Sequence, residues 1–494
     1  MEEAVKNDCI GVAFLLNDPL ACYPTFLRVA DAAQKSGLLV GCSSNSYFTE
    51  SSLAEISPLI DFINVGVKGF SPQAYQECGG STVDPVLRNI AKLYESGVHV
   101  EVSCVLRNNN MEEIADLTAY IANISPDIPF QLMRYIPLEG ADTSLEPSIR
   151  ASEAFYQRLK DKLHYVYLFN SPGTDYLNTF CPGCGEVIFK RDFYGPMGSK
   201  LFLSESSPIG KTCPHCSKEM PIKAPPAEKK YQEGDFEGGY PFTRALEMME
   251  AILITLGVTD VKKVVQVWEI VLGQKGLPKL HRDIQNISSY LEIIRYFGRL
   301  IGMEEQASRL VAYMEEKVCS IQQSLPPSEK RPRVYYIMGK PLFCLMGERF
   351  ENQLVEAAGG VSANKEIACS GRPGSLISAT ELNALNPEVI FVSAFLSSSA
   401  EDVYAECCRA GVNIEAVKNK RIYTYPAAGW DFGSPRWILG LMYMANMLHP
   451  EIYHFDVQAE AGWFYSQFYG MDFSPEEVNR SFSKPSNRWQ WQKG

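Results

Sequence analysis

From residue 8 to about 170, short apolar runs alternate with longer amphipathic ones. "CIGVAFLL" precedes "TFLRVADAAQKSG", "LLVGCSS" precedes "SSLAEISPLI", and "DFINVGV" precedes "VDPVLRNIAKLYESG". "VHVEVSCVL" with "MEEIADLTAYIANI", "PFQLMRYI" with "SEAFYQRLKDKL", and a closing "YVYLFN" continue the series. Apolar strands separated by helices of about 10–15 residues predict βαβ units and a parallel sheet covered by helices. Gly37 and Gly97 stand where a helical run gives way to a strand, as helix-ending glycines do.

The alternation stops near residue 178. Residues 178–222 show little helical period, and "PIKAPPAEKKYQEGDFEGGYPF" then reads as a linker over 223–241. Residues 242–325 are mostly helical, with the run "SSYLEIIRYFGRLIGMEEQASRLVAYMEEKV" predicting one long helix over 288–318. "RVYYIMG", "EVIFVSAF" and "RIYTYP" are strand-like again, with helices between and after them. The fold class is therefore α/β throughout, in five segments: a strand–helix unit at 1–177, a small segment at 178–222, the linker, a second α/β unit at 242–480, and a tail at 481–494. There is no internal repeat.

Composition narrows the class. A chain of 494 residues, 46% apolar, supports several domains. Its net charge of −12 argues against a nucleic-acid binder, which needs a basic face to neutralise phosphates. No apolar run approaches the about 20 residues of a membrane span. "MEEAVKNDCIGVAFLLNDP" opens acidic and lacks the features of a signal peptide, so the 14 cysteines read as reduced thiols and metal ligands of a cytoplasmic protein.

Cys181 and Cys184 are separated by two residues, as are Cys213 and Cys216, with 28 residues between the pairs. A Cys-x-x-Cys turn converges two thiolates, and two such turns complete the tetrahedral four-thiolate site that zinc prefers and rubredoxin-type iron accepts. Four protein ligands leave no open position, so the expected role is structural. The competing reading is four unligated thiols.

The residues around these knuckles resemble a family. "NDPL", "NVGVKGFSPQAYQECGG", "GVHVEVSCVL" and "YVYLFNSPGTDYLNTFCPGCGEVIFKR" are similar, in order, to radical S-adenosylmethionine enzymes related to pyruvate formate-lyase activating enzyme, in the AmmeMemoRadiSam branch. The resemblance spans about 1–220. It implies a partial (βα) barrel carrying S-adenosylmethionine at the C-terminal ends of its strands. It places Asn17 and Asp18 on an Asn-Glu-Pro segment, Asn45 within a Thr-Asn-Gly-Tyr segment that has Ser46 for Gly, and Lys68 within a Val-Asp-Leu-Lys-Gly-Phe segment that has Gly66 for Asp. It also places Ile136 at an Arg-Phe-His-Pro histidine. Asn17, Asp18, Asn45 and Lys68 are thereby the expected cofactor-binding residues; taken singly they read as a strand-end turn and a solvated lysine. The family's Cys-x-x-x-Cys-x-x-Cys signature, which holds a [4Fe–4S] cluster, has no counterpart among the 14 cysteines. Either it lies upstream of this chain or the cluster has been shed.

The second half, about 285–475, resembles substrate-binding proteins of iron–siderophore and cobalamin importers, on "NQLVEAAGGVSANKE", "SLISATELNALNPEVIFVS" and "KNKRIYTYPAAGWDFGSPRWILGLMYMANMLHPEIY". That implies a periplasmic-binding-protein-like domain, two α/β lobes on a long backbone helix, here with a shortened first lobe. Tyr425, Trp430 and Arg436 are its expected ligand contacts, since aromatic faces suit a macrocycle or chelate and guanidinium suits carboxylates. Alternatively, Trp430 and Trp437 pack under the lobe and Arg436 caps a helix. Cys344, Cys369, Cys407 and Cys408 lack ligand spacing, as do His281, His449 and His454.

The combined expectation is a cytoplasmic fusion acting in metallocofactor or metalloenzyme maturation, with a metal chelate or corrinoid as small-molecule partner. A target metalloenzyme or glycyl-radical enzyme is the expected macromolecular partner. The alternatives are a non-catalytic scaffold, and an active radical activase if an upstream cluster segment exists.

Overall fold

The computed structural model describes residues 1–15, 18–136, 142–194, 198–202, 211–223, 239–273, 277–368, 373–396, 398–427 and 429–473. These form two compact units, described residues up to 223 and those from 239 onward.

The first unit is built on six strands: β1 (Gly11–Phe14), β2 (Leu39–Ser44), β3 (Phe62–Val67), β4 (His99–Leu106), β5 (Phe130–Arg134) and β6 (Val166–Phe169). They pair in sequence order and in parallel throughout, the arrangement of a partial (βα) barrel. Each connection carries a helix whose apolar positions recur every three or four residues. Val86, Ile90 and Leu93 do so in Asp84–Glu95, and Ile114, Leu117 and Ile121 in Met111–Ile124. These side chains cover one sheet face, where Val65, Val102, Leu132 and Leu168 are buried.

The alternation of the strands leaves the other face half-exposed and largely polar. Asn64, Gly66, Glu101, Ser103, Gln131 and Tyr167 lie on it.

A small three-stranded antiparallel sheet follows, of β7 (Thr179–Phe180), β8 (Val187–Phe193) and β9 (Ser199–Phe202). The first cysteine knuckle lies between β7 and β8, and this sheet is anchored to the first unit's larger one. The Tyr167 and Thr179 hydroxyls are 2.9 Å apart, and the Lys160 ammonium sits 4.9 Å over the Phe180 ring. The expected linker at 223–241 falls outside the described residues except at its ends, and its last residues open the helix Gly239–Thr255.

In the second unit, residues 239–285 form the helices Gly239–Thr255, Val261–Gly273 and Leu277–Asp283, with no strand among the described residues. The single helix expected over 288–318 is in fact two, Ile287–Ile301 and Glu304–Gln323. Gly302 ends the first at φ +70°, and the Met303 amide reaches back to the Gly298 carbonyl at 2.8 Å, closing the turn that terminates a helix on a left-handed residue. The two helices cross closely at Gly298, where a Cβ would lie 2.4 Å from that of Ala307.

The sheet of this unit joins β10 (Arg333–Ile337), β11 (Phe343–Leu345), β12 (Val361–Ser362), β13 (Gly374–Leu376), β14 (Val389–Val392) and β15 (Ile422–Thr424). Its order is β13-β11-β10-β14-β15, with β12 also on β10. Strands β10, β14 and β15 are parallel and end in register at Ile337, Val392 and Thr424. Behind them lies Trp437–Leu448, whose apolar residues are buried on every side, as expected of a helix inside a core.

Gly440 lets that helix touch its own preceding loop, since a Cβ there would stand 1.7 Å from the Trp430 carbonyl oxygen. Neither backbone can yield without unseating the other. Gly440→Ala is expected to cost more than about 3 kcal/mol, read as a lowered denaturant midpoint, the cost of overpacking against rigid backbone.

Candidate functional site

The four cysteines converge. Their Sγ atoms all lie within 4.8 Å of one another, with Cys181 to Cys216 at 3.5 Å and Cys184 to Cys213 at 3.7 Å. A tetrahedron of thiolates around zinc has sulfur–sulfur edges of about 3.8 Å, from a zinc–sulfur bond of about 2.3 Å. The donor set and its spacing therefore fit a four-thiolate metal.

The two knuckles are built alike. Gly185 N donates to the Cys181 carbonyl and Ser217 N to the Cys213 carbonyl, each at 2.9 Å. The amides of Gly183 and His215 point at Cys181 Sγ and Cys213 Sγ. In both turns the residue after the second cysteine is left-handed, Gly185 at φ +79° and Ser217 at φ +61°.

Burial pushes the Cys181 thiol up, but amide donors and neighbouring thiols outweigh it and bring it to about 7. Around Cys184 the Glu186 amide pulls down, while burial and the other three thiols push its pKa to about 12. Four thiols this close cannot all ionise unaided, and a bound dication removes that conflict.

At the C-terminal ends of the six-stranded sheet, Asp18 ties two strand-end loops together. Its Oδ2 accepts from Ser44 Oγ at 2.9 Å and the Asn45 amide at 2.7 Å, and its Oδ1 accepts from the Leu20 amide at 3.1 Å. Asn45 is exposed and Asn17 lies outside the described residues. Lys68 is exposed beyond β3, and its Nζ lies 3.9 Å from where a Gly66 Cβ would stand. No backbone blocks that position, so a carboxylate at 66 would meet this ammonium. Thus Asp18 and Asn45 are in contact, and Lys68 belongs to the end of the next strand.

Ser46, which stands where the resembling family has Gly, is at φ +53° and fully buried, with its hydroxyl unbonded. Ile136 is half-buried two residues after Arg134, whose guanidinium pairs with Glu146 at 2.6 Å, both buried.

The polar face supplies residues that strand-by-strand reading passed over. Ser103 Oγ donates to Asn64 Oδ1 at 2.9 Å, and Gln131 Nε2 donates to Glu101. Arg191 of β8 lies 5.4 Å over the Tyr167 ring and donates to Thr179 Oγ1 at 2.7 Å. The knuckle sheet therefore places a cation on this face, beside β6. Period-two spacing of His99, Glu101 and Ser103 was the available signal; the Arg191 contact had none.

In the second unit, the loop after β15 folds down onto the strand ends. Tyr425 is buried among the rings of Tyr336, Phe391 and Tyr443. Trp430 is fully buried and stacked on Phe473. Both rings pack against the protein here, beside the close backbone contact between Gly440 and Trp430. Arg436 stays half-buried, its Nε donating to Ser434 Oγ at 2.9 Å and its Nη1 to the Tyr465 hydroxyl at 3.1 Å.

The residue that organises the loop is Asp431, absent from the sequence-based candidates. Its Oδ2 accepts from Ser393 Oγ at 2.8 Å, the Ala394 amide at 2.9 Å and the Tyr336 hydroxyl at 3.1 Å. Burial, with Glu351 nearby, pushes its carboxyl above the usual range, and the hydrogen bonds from Ser393 and from the Ala394 and Phe432 amides oppose that.

Comparisons with known proteins bear on both units. Residues 1–121 match the model of the Radical SAM superfamily, and residues 239–428 match that of a periplasmic binding protein. The chain is a radical-SAM-type unit fused to a periplasmic-binding-protein-type unit. The uncharacterized protein MJ0808 of Methanocaldococcus jannaschii is 24% identical over 227 residues, covering 45% of this chain and 66% of that protein, just under two thirds of its length.

Among solved structures, a periplasmic solute-binding protein of Veillonella parvula is 22% identical, with a TM-score of 0.36 over 41% of this chain and 63% of that one. An ABC transporter solute-binding protein of Sulfurospirillum deleyianum is 25% identical, with a TM-score of 0.35 over 43% and 68%. CeuE of Helicobacter pylori with Ni(II) bound is 23% identical, with a TM-score of 0.34 over 40% and 63%.

Two outcomes follow from this geometry. Purified protein should carry one zinc or iron per chain by elemental analysis, and Cys184→Ser should release most of it. Ser46→Gly should raise stability by about 1 kcal/mol in denaturant unfolding, since it relieves a left-handed residue and removes a buried unpaired hydroxyl.

Proposed function

We propose that this protein serves metallocofactor or metalloenzyme maturation from a cytoplasmic location. In this reading the second unit holds a small metal chelate or corrinoid, and the knuckle metal is a structural clamp of zinc or iron. The observation that carries it is the union of the two family matches in one chain. None of the described cysteines is in a disulfide, which suits a reducing compartment. No helix among the described residues is long and apolar enough to cross a membrane.

The half-exposed polar face and the strand-end set of Asp18, Asn45 and Lys68 suit a small polar ligand such as S-adenosylmethionine, with Asn17 on the same segment. S-adenosylmethionine would supply a sulfonium and an adenosyl group there. Asp18 would hold the two strand-end loops in register, and Lys68 would present an ammonium to a carboxylate. For the second unit, Arg436 is the guanidinium best placed to meet an acidic substituent of the chelate.

A [4Fe–4S] cluster does not fit the thiols present. Among the described residues only the knuckle cysteines converge, and the sequence contains no Cys-x-x-x-Cys-x-x-Cys. Radical cleavage is therefore no part of the role proposed for these residues. An activase of a glycyl-radical enzyme would need that segment in addition to them. The burial of Tyr425 and Trp430 favours a second reading, a scaffold whose partner is a metalloenzyme rather than a chelate.

Titration of the full chain with cyanocobalamin, haem and a ferric siderophore separates the readings. Saturable binding of one of them, weakened by Arg436→Ala, is the expected result. Binding of none would favour the scaffold. Anaerobic iron–sulfur reconstitution should give no cluster absorbance and no 5′-deoxyadenosine; formation of 5′-deoxyadenosine would overturn the statement that radical cleavage is no part of the role of these residues.

A further inference from the structure

A groove of about 670 Å³ opens in the second unit between Glu304–Gln323 and Val457–Phe468, away from the ends of β10, β14 and β15. Ala312 and Ala459 leave room along it, and Tyr313, Trp463 and Phe468 form an aromatic wall. The Tyr313 and Trp463 rings are 4.6 Å apart and tilted by 30°, and Phe468 meets Trp463 edge-on at 5.9 Å. Trp463 nevertheless remains 45% exposed, an unusual amount of open indole beside a cavity.

The charges lining the groove do not balance. Glu316, Asp456 and Glu460 face Arg309 and Lys317, so the groove is one positive charge short. Its chemistry already shows in the cation the chain supplies itself. Lys317 Nζ lies 5.2 Å over the Tyr313 ring and 2.7 Å from Glu460, whose other oxygen accepts from the Tyr313 hydroxyl at 2.8 Å. Arg309 is turned toward Gln467, donating to its Oε1 at 2.9 Å.

We propose that this groove is a binding site for an organic cation, an ammonium or guanidinium on a flat or short apolar body, held over Trp463 and neutralised by the surplus carboxylate. Aromatic faces attract cations through the ring quadrupole, and a neighbouring carboxylate adds a charge term that neutral or anionic ligands of equal shape forgo. The site is independent of the maturation role above, which places its ligand elsewhere.

Calorimetric titration of the full chain with benzyltrimethylammonium, benzyl alcohol and benzoate tests it. The cation should bind saturably and less tightly as salt rises, while the other two should not bind. Trp463→Ala should weaken the cation about tenfold, the effect expected for one cation–aromatic contact. Glu316→Gln, at a side chain 72% exposed and so harmless to folding, should weaken it severalfold and decides the matter if the tryptophan variant melts early. Absence of saturable binding, equal binding of benzoate, or unchanged affinity in Glu316→Gln would overturn the proposal.

Discussion

The first unit depends on parallel pairing of six strands whose side chains alternate between two unlike environments. Helices on one face fix which residues of every strand must be apolar. The opposite residues are then free to be polar, and they line up across the strands as Asn64, Glu101, Ser103, Gln131 and Tyr167. A slip of one residue in any strand would put its apolar set on the polar side. The register that buries Val65 and Val102 is thus the same register that assembles the candidate site.

The knuckle sheet extends this logic with a different kind of adhesive. Its own core is small, with Cys181, Ile188, Cys213 and Met220 at its centre. A core of that size stabilises little by burial, so a metal held by four thiolates is the natural substitute. Arg191 stands on the strand that follows the first knuckle and bonds Thr179, whose hydroxyl lies against that of Tyr167 on the polar face.

In the second unit the governing contact is backbone against backbone, Gly440 under the Trp430 carbonyl. It lets a predominantly apolar helix sit directly against the loop that precedes it. Asp431 then fastens the loop to the two residues after β14 and to Tyr336 of β10, through three donors to one oxygen. The cost of burying a carboxylate is offset by those bonds, and removing them would strand Ser393, Ala394 and Tyr336.

The sequence by itself determined the six strands of the first unit and the four cysteines as one group, because each rests on local periodicity or spacing, and it pointed to the two kinds of unit through the order of short motifs that resemble known families. Runs such as "DFINVGV" and "VHVEVSCVL" carry their strand in their own residues, and Cys-x-x-Cys dictates its own turn. Only the tertiary structure decided that Gly302 divides the long helix and that Trp430 packs inward. It also made Asp431 the anchor of the loop and placed Arg191 over Tyr167. Each of these depends on what a residue meets from a distant part of the chain, and neither hydrophobic period nor ligand spacing encodes which backbone will approach a glycine or which ring will lie under a guanidinium.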